Sequence, residues 1–483
     1  MLVLIAFLII LGAAAYLYTQ PHHHSTTTRH IVAPDQCRLL IAGKLQWQGH
    51  PNVLNPHQSR ALPNQHFNIA FGIENAFTSS NPVYVKKFVG KVKNMINLSP
   101  QKWVDMAQFT RDTARTWIEP GLNVDGIFNV EIDDVGSEAT LAHGEGPPEE
   151  IRVHLTSLVQ ALSLRVVLWA IFNWKMGEDD IKNWNLLELA NSINRVWIAS
   201  KKQQPVPRFE DDVLLRNALC EFEPRERGKE NPLNWILPSF ETVWRVVLCA
   251  FLELRFTTGL CHREWRAALV NFARVPTQDQ FTRFPPFPPA PTASTGGLAG
   301  RERQTGSNMP QPIKSGTHLC TSASVQNIVS ELLRLYAPTR RIKRAYRMSE
   351  SHPNIFGVAA QQQDYILAAD IESCHLSPLI WGADGKTFNP DRWTHLTPAQ
   401  RQAFMPFGVT PFECPAKPVF APRLIALLLG ALFDGLGART GRQRQWRLDC
   451  KDKEILKELV PGMRLDVDRD STYDTLELVG TWE

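Results

Sequence analysis

Paired cysteines are missing from this sequence. Its eight cysteines, at positions 37, 220, 249, 261, 320, 374, 414 and 450, include no C-x-x-C and no short paired spacing, which argues against a zinc ribbon or a disulfide framework. Thiols scattered through 483 residues suit a reducing compartment, where each is a small buried hydrophobe unless its local context says otherwise. A charge bias is missing too. Fifty-two Lys plus Arg stand against 48 Asp plus Glu, a net +4, so nothing calls for a nucleic-acid partner. There is no internal repeat. Beyond the N-terminus there is no apolar run long enough to span a bilayer, since Leu424 to Phe433 is half the needed length. With 43% hydrophobic and 21% charged residues the chain buries a sizeable core and is neither fibrous nor disordered.

One uncharged stretch does stand out. Leu2 to Tyr18 reads LVLIAFLIILGAAAYLY, which as a helix spans roughly 25 Å, the short end of a membrane crossing. A secretory signal peptide is the competing reading, but no Lys or Arg precedes the apolar core, so a retained anchor over 1–20 is expected. Arg29, Arg38 and Lys44 follow it and place the large C-terminal part in the cytosol. His22, His23 and His24 read as a solvated polar stretch, and residues 21–45 as a juxtamembrane linker. Asn97-Leu98-Ser99 matches a glycosylation acceptor that stays unused in the cytosol.

In the body, 46–483, apolar residues recur at helical spacing in Leu155 to Val166, Leu186 to Trp197 and Val243 to Leu254. From Phe284 to Ser315 the pattern stops in PPFPPAP and a Gly/Ser-rich tail, too rich in proline and glycine for a helix or ladder, so 284–315 reads as an insertion. The last 30 residues alternate short apolar pairs with turns and read as a small sheet or hairpin.

Cys414 sits in MPFGVTPFECPAKPVFAPRLIALLLG, a proline-rich loop feeding an apolar helix whose N-terminus is expected to favour a thiolate. A buried structural cysteine is the plain alternative. Upstream, a helix beginning near Ser324 and stopping before Pro338 carries Glu331 and Arg334 three apart on one face. A second E-x-x-R, Glu149 to Arg152, shows how readily that pair arises by chance. Between the pair and the cysteine lies Phe388-Asn389-Pro390-Asp391-Arg392-Trp393, a fixed loop able to present Arg392 to Glu331. Pro238-Ser239-Phe240-Glu241-Thr242 either starts a helix at its first position or interrupts one, opening a groove beside an acid and an alcohol.

In this order the residues resemble the cytochrome P-450 family of haem-thiolate monooxygenases, especially its fungal secondary-metabolism members. The helix K motif E-x-x-R matches Glu331 and Arg334, F-x-P-x-R-[FW] matches Phe388 to Trp393, F-x-x-G-x-R-x-C-x-G aligns Phe407 and Cys414, and [AG]-G-x-[DE]-T aligns Glu241 and Thr242. The resemblance implies a mainly α fold with a small β part behind an N-terminal transmembrane anchor. It implies haem b with Cys414 as axial iron ligand, shielded by Phe407 and with Arg344, in the run Arg340, Arg341, Lys343, Arg344, on a propionate. Glu331, Arg334 and Arg392 would be structural, and Glu241 with Thr242 a proton relay. Electrons would come from NADPH through a flavoprotein reductase, the substrate would be a small apolar molecule, and the site the cytosolic face of the endoplasmic reticulum membrane. Three departures stand out: Thr410 where the family has Gly, Phe412 where it has Arg or His, and Ala416 where it has Gly. A haem-thiolate isomerase or dehydratase needing no reductase, and a non-catalytic membrane-tethered relative, are the alternatives.

Overall fold

Long apolar stretches become buried helices here, and short β-branched and basic stretches become two small three-stranded sheets, with a two-residue hairpin pairing Gln46–Trp47 with His50–Pro51. The computed structural model describes residues 28–118, 150–173, 183–222, 231–283, 323–348, 364–437, 444–457, 459–465 and 474–482. The expected anchor at 1–20, His22 to His24 and the insertion 284–315 lie outside the described residues. Helices that position the site are α1 (Pro34–Ile41), α2 (Pro56–Ala61), α3 (Pro82–Met95), α4 (Pro100–Ile118), α5 (Leu155–Phe172), α6 (Asn183–Lys202), α7 (Leu233–Phe256), α8 (Arg263–Arg274), α9 (Val325–Leu335) and α10 (Phe420–Gly435). The strands of the two three-stranded sheets are β1 (Arg29–Ile31), β2 (Glu150–His154), β3 (Arg341–Arg347), β4 (Asp364–Asp370), β5 (Arg444–Cys450) and β6 (Leu476–Trp482).

One sheet has the order β1-β4-β3, β1 running parallel to β4 with Arg29 opposite Leu367, and β3 antiparallel with Arg344 opposite Leu367. The other, β2-β6-β5, is antiparallel and carries the C-terminal strand in its centre. Arg152 of the chance E-x-x-R lies on β2, in a strand and not on a helix. The linker expected over 21–45 gives way from residue 28 on. Arg29–Ile31 is a sheet strand and Cys37, Leu40 and Ile41 of α1 are buried, because this segment supplies apolar cover that β4 would otherwise lack.

The apolar side chains form two main cores. A large one joins α4, α5, α7, α8, α9 and α10. A smaller one packs Ile31, Leu40, Ile41, Tyr346, Leu367 and Trp381 around the first sheet and takes in Met405 and Val409. Two helices, α5 and α7, are long and apolar enough to cross a membrane by composition, but 78% and 83% of their apolar windows are buried inside the body, as core helices require. Gly430 of α10 marks the tightest crossing: a Cβ there would lie 2.2 Å from the Leu269 carbonyl oxygen of α8.

Helix α7 continues through Pro238, so the proline does not start it. Without an N–H, Pro238 leaves the Asn234 carbonyl without its usual donor. Near the other end of α7, Glu253 is 1% exposed, and its carboxyl accepts from the Tyr336 hydroxyl at the end of α9. Among the described residues no cation pairs with it, and burial pushes its carboxyl above the usual range against the hydrogen bonds of Thr258 and Tyr336. A raised carboxyl stays protonated in the fold after the unfolded chain has ionised. Its contribution is therefore complete at low pH and shrinks as pH rises through the ordinary carboxylate range towards the folded value. Glu253→Gln should flatten this part of the stability profile, measured as urea midpoints between about pH 4 and 8; an unchanged slope contradicts it.

Candidate functional site

Helix α9 forms because Val325, Ile328, Val329, Leu332 and Leu335 recur on one side and Ser324 caps it, its hydroxyl accepting from the Asn327 N–H at 3.2 Å. The same periodicity turns Glu331 and Arg334 inward, where both are 0% exposed. Arg334 forks onto the carboxylate, Nη2 to Oε1 at 2.7 Å and Nε to Oε2 at 2.8 Å. Three more donors complete it: Arg392 Nε at 2.9 Å and the Asn389 N–H at 3.0 Å on Oε1, and Trp393 Nε1 at 2.9 Å on Oε2. The spare guanidinium nitrogen of Arg334 donates to the carbonyls of His375 at 2.7 Å and Gly385 at 2.5 Å. Glu331 thus holds the Phe388–Trp393 loop, and Arg334 holds the segment before it.

Beyond that loop the chain reaches Cys414 along the seam between the two cores. Met405 and Val409 pack into the sheet core, while Phe407 and Phe420 pack on the helical one. The turn at Gly408 takes φ +73°, and the Cys414 N–H closes back on the Phe407 carbonyl at 2.9 Å. Thr410 is exposed and is not left-handed, so the glycine-requiring position is 408 and the side chain at 410 meets no such constraint. The Cys414 thiol is half-buried, six residues ahead of α10. Burial, with Glu413 adding, pushes it up, and the Ala416 N–H offsets this only in part. The helix N-terminus therefore does not by itself make a thiolate here. A bound cation would be needed.

Phe412 occupies the position where a basic residue was expected, yet basic residues surround it. The guanidinium carbons of Arg60 and Arg344 lie 4.8 and 5.3 Å from its ring centre, and His57 meets it edge-on at 5.1 Å. Arg344 points inward from β3 while Arg340 and Arg341 turn out to Glu372 and Asp370. It is 3% exposed and Arg60 7%. Arg344 donates to the Ile41 carbonyl at 2.8 Å and Arg60 to that of Ala76, but among the described residues neither has a carboxylate. Arg344 Nε and His57 Nδ1 are buried with no hydrogen-bond partner among the described residues. Burial depresses both guanidinium groups, to about 9 for Arg344, with the charge of Arg60 adding, and to about 10 for Arg60. A pair of buried cations in that condition calls for an anion.

His57 and Arg60 were not singled out from sequence. The signal was present: Asn55 and Gln58 form a capping box that starts α2 and sets both side chains. What sequence could not show is that α2 packs beside β3 and the cysteine loop.

On α7, Glu241 and Thr242 diverge. Glu241 is 1% exposed and its carboxylate is engaged by Arg245, which also reaches Asn194 of α6 at 2.7 Å. Thr242 is half-buried, as are Pro238 and Ser239 on the same helical face, which leaves this face of α7 open where the rest of Leu233–Leu254 is buried. Its hydroxyl donates to the Pro238 carbonyl at 3.0 Å. The structure does not bring the Glu241 carboxylate to that opening.

No family model matches this chain. An 88-residue segment is 33% identical to a putative cytochrome P450, CYP13A2, of Caenorhabditis elegans, covering 18% of this chain and 16% of that protein. A 61-residue segment is 39% identical to benzoate 4-monooxygenase bphA of Aspergillus niger, covering 12% of each. The matched segments thus span a small part of these relatives' length. Among solved structures, CYP175A1 of Thermus thermophilus superposes with a TM-score of 0.47 at 14% identity, covering 87% of this chain and 82% of that one. A 6-coordinated cytochrome P450, also of Thermus thermophilus, gives 0.48 at 14%, covering 94% and 92%.

The residues present fit haem: a thiol in a well-bonded loop for the iron, and beside that loop two buried arginines with no carboxylate among the described residues for the propionates. Replacing Glu331 by Ala should destabilise the protein by about 3–5 kcal/mol, because it leaves Arg334 buried and uncompensated. The pair Glu331→Leu with Arg334→Met should recover much of that, read from urea midpoints of both variants. A double variant less stable than the single one would contradict the assignment.

Proposed function

We propose that this chain is a haem-thiolate monooxygenase of the cytochrome P-450 type, inserting one atom of dioxygen into an apolar small molecule as a tailoring step in secondary metabolism. The observation that carries it is the cysteine loop flanked, at Phe412, by two buried arginines that have no acidic partner among the described residues. Haem bound there would supply the oxygen chemistry, with Cys414 as the residue that would hold its iron as a thiolate.

The protein's own share is positioning and proton handling. Arg60 and Arg344 would hold the propionates and Phe407 would keep water from Sγ. Thr242, on the half-buried face of α7 that it shares with Pro238 and Ser239, would hold a proton at Oγ1. Glu241 acts through its ion pair, supporting α7 on α6. Electrons would arrive from NADPH by way of a flavoprotein reductase, and an anchor at 1–20 would hold the body on the cytosolic face of the endoplasmic reticulum membrane. The engagement of Glu241 by Arg245 supports a second reading, an isomerase or dehydratase needing no reductase.

The difference spectrum of the reduced protein with carbon monoxide tests the first reading. A thiolate-type Soret band is expected in the wild type and not in Cys414→Ala, and stably folded protein without a haem band overturns it. Arg60→Ala and Arg344→Ala should each weaken haem retention roughly tenfold, the loss of one charge-assisted bond. Thr242→Ala should lower reductase-driven turnover by about 10²-fold; unchanged turnover without reductase favours the second reading.

A further inference from the structure

His375 is a titratable side chain to which the proposed chemistry gives no role, and it is 0% exposed. Both ring nitrogens are nevertheless engaged. Nδ1 lies 3.1 Å from the carbonyl oxygen of Arg334, which can only accept, so Nδ1 carries the proton. Nε2 then has a free lone pair, and the Met405 N–H donates to it at 3.0 Å. The exchange with Arg334 is reciprocal, because Arg334 donates in turn to the His375 carbonyl at 2.7 Å. The ring packs at 5.4 Å from that of Phe404. Burial, with the charge of Arg334 adding, holds the imidazole down to about 3, so this one neutral tautomer persists across the physiological range.

Met405 opens the cysteine loop. Its carbonyl accepts from the Gly408 N–H at 3.0 Å, Gly408 takes the left-handed turn, and Phe407 receives the Cys414 N–H at 2.9 Å. A short chain of bonds therefore runs from Arg334 through His375 to Met405 and on to Cys414.

We infer that His375 is a positioning residue that latches the cysteine loop to α9, transmitting the rigidity of the Glu331–Arg334 pair to the sulfur at 414. A buried histidine serving only to fill space would need neither a fixed tautomer nor a backbone donor from the loop. This inference rests on the haem-thiolate reading of Cys414, and its tests separate the two.

In the haem-loaded protein, His375→Phe keeps the ring and removes both bonds. It should shift the reduced, carbon monoxide-bound protein from the thiolate-type to the neutral-thiol-type Soret band and speed haem transfer to excess apomyoglobin about tenfold. His375→Gln, which keeps a donor and an acceptor, should restore part of the thiolate-type band. Amide hydrogen exchange on the wild type provides a measurement independent of any variant's folding: the Met405 N–H should exchange as slowly as those of α9. A His375→Phe protein with wild-type band and transfer rate, or a Met405 amide that exchanges as fast as exposed loop positions, overturns the latch. A wild type with no thiolate-type band overturns the haem-thiolate reading instead, and the exchange of Met405 still decides whether the latch exists.

Discussion

Two opposite charges with no access to water, Glu331 and Arg334, set the terms for the C-terminal half of this protein. Moving a carboxylate and a guanidinium out of water costs several kcal/mol each, and their mutual attraction offsets this only when every lone pair and N–H is matched. Five donors converge on Glu331, and Arg334 uses its remaining capacity on carbonyls of His375 and Gly385. Those partners come from the helix itself, from the Phe388–Trp393 loop and from the stretch at His375 and Gly385 before it. Satisfying one buried pair therefore fixes the chain from Cys374 to Trp393 against α9, and with it the point where the cysteine loop begins.

The loop itself lies where two cores meet, and this accounts for its chemistry. On one side the first sheet supplies Arg344, which its position on β3 turns inward; on another, α2 supplies His57 and Arg60. Their burial without carboxylates would be destabilising in a protein with no further use for them, which is why an anionic ligand is the economical account. Phe412 makes the arrangement tolerable by offering its ring face to both guanidinium groups. The position where a basic residue was expected is thus surrounded by basic side chains from elsewhere in the chain.

What could be read from the sequence was what local spacing encodes. The span of α9, its cap at Ser324 and the inward turn of Glu331 and Arg334 follow from helical periodicity, and the loop bearing Arg392 follows from its prolines and aromatics. Three things were not legible because they depend on contacts between distant segments. Residues 21–45 read as a juxtamembrane linker, whereas Arg29–Ile31 within them pairs with β4. Glu241 reads as Thr242's partner until Arg245, itself held by Asn194, is seen to engage its carboxylate. The cation cluster draws on residues 57, 60 and 344, which no window of sequence contains together.

The central claim is that Cys414 and the two arginines form a single haem site. An anomalous-difference map at the iron edge, from crystals of the haem-loaded protein, tests it most directly. The account predicts one iron peak within bonding distance of Cys414 Sγ, with propionate density on Arg60 and Arg344. Iron bound elsewhere, or haem whose propionates face away from both arginines, would contradict it.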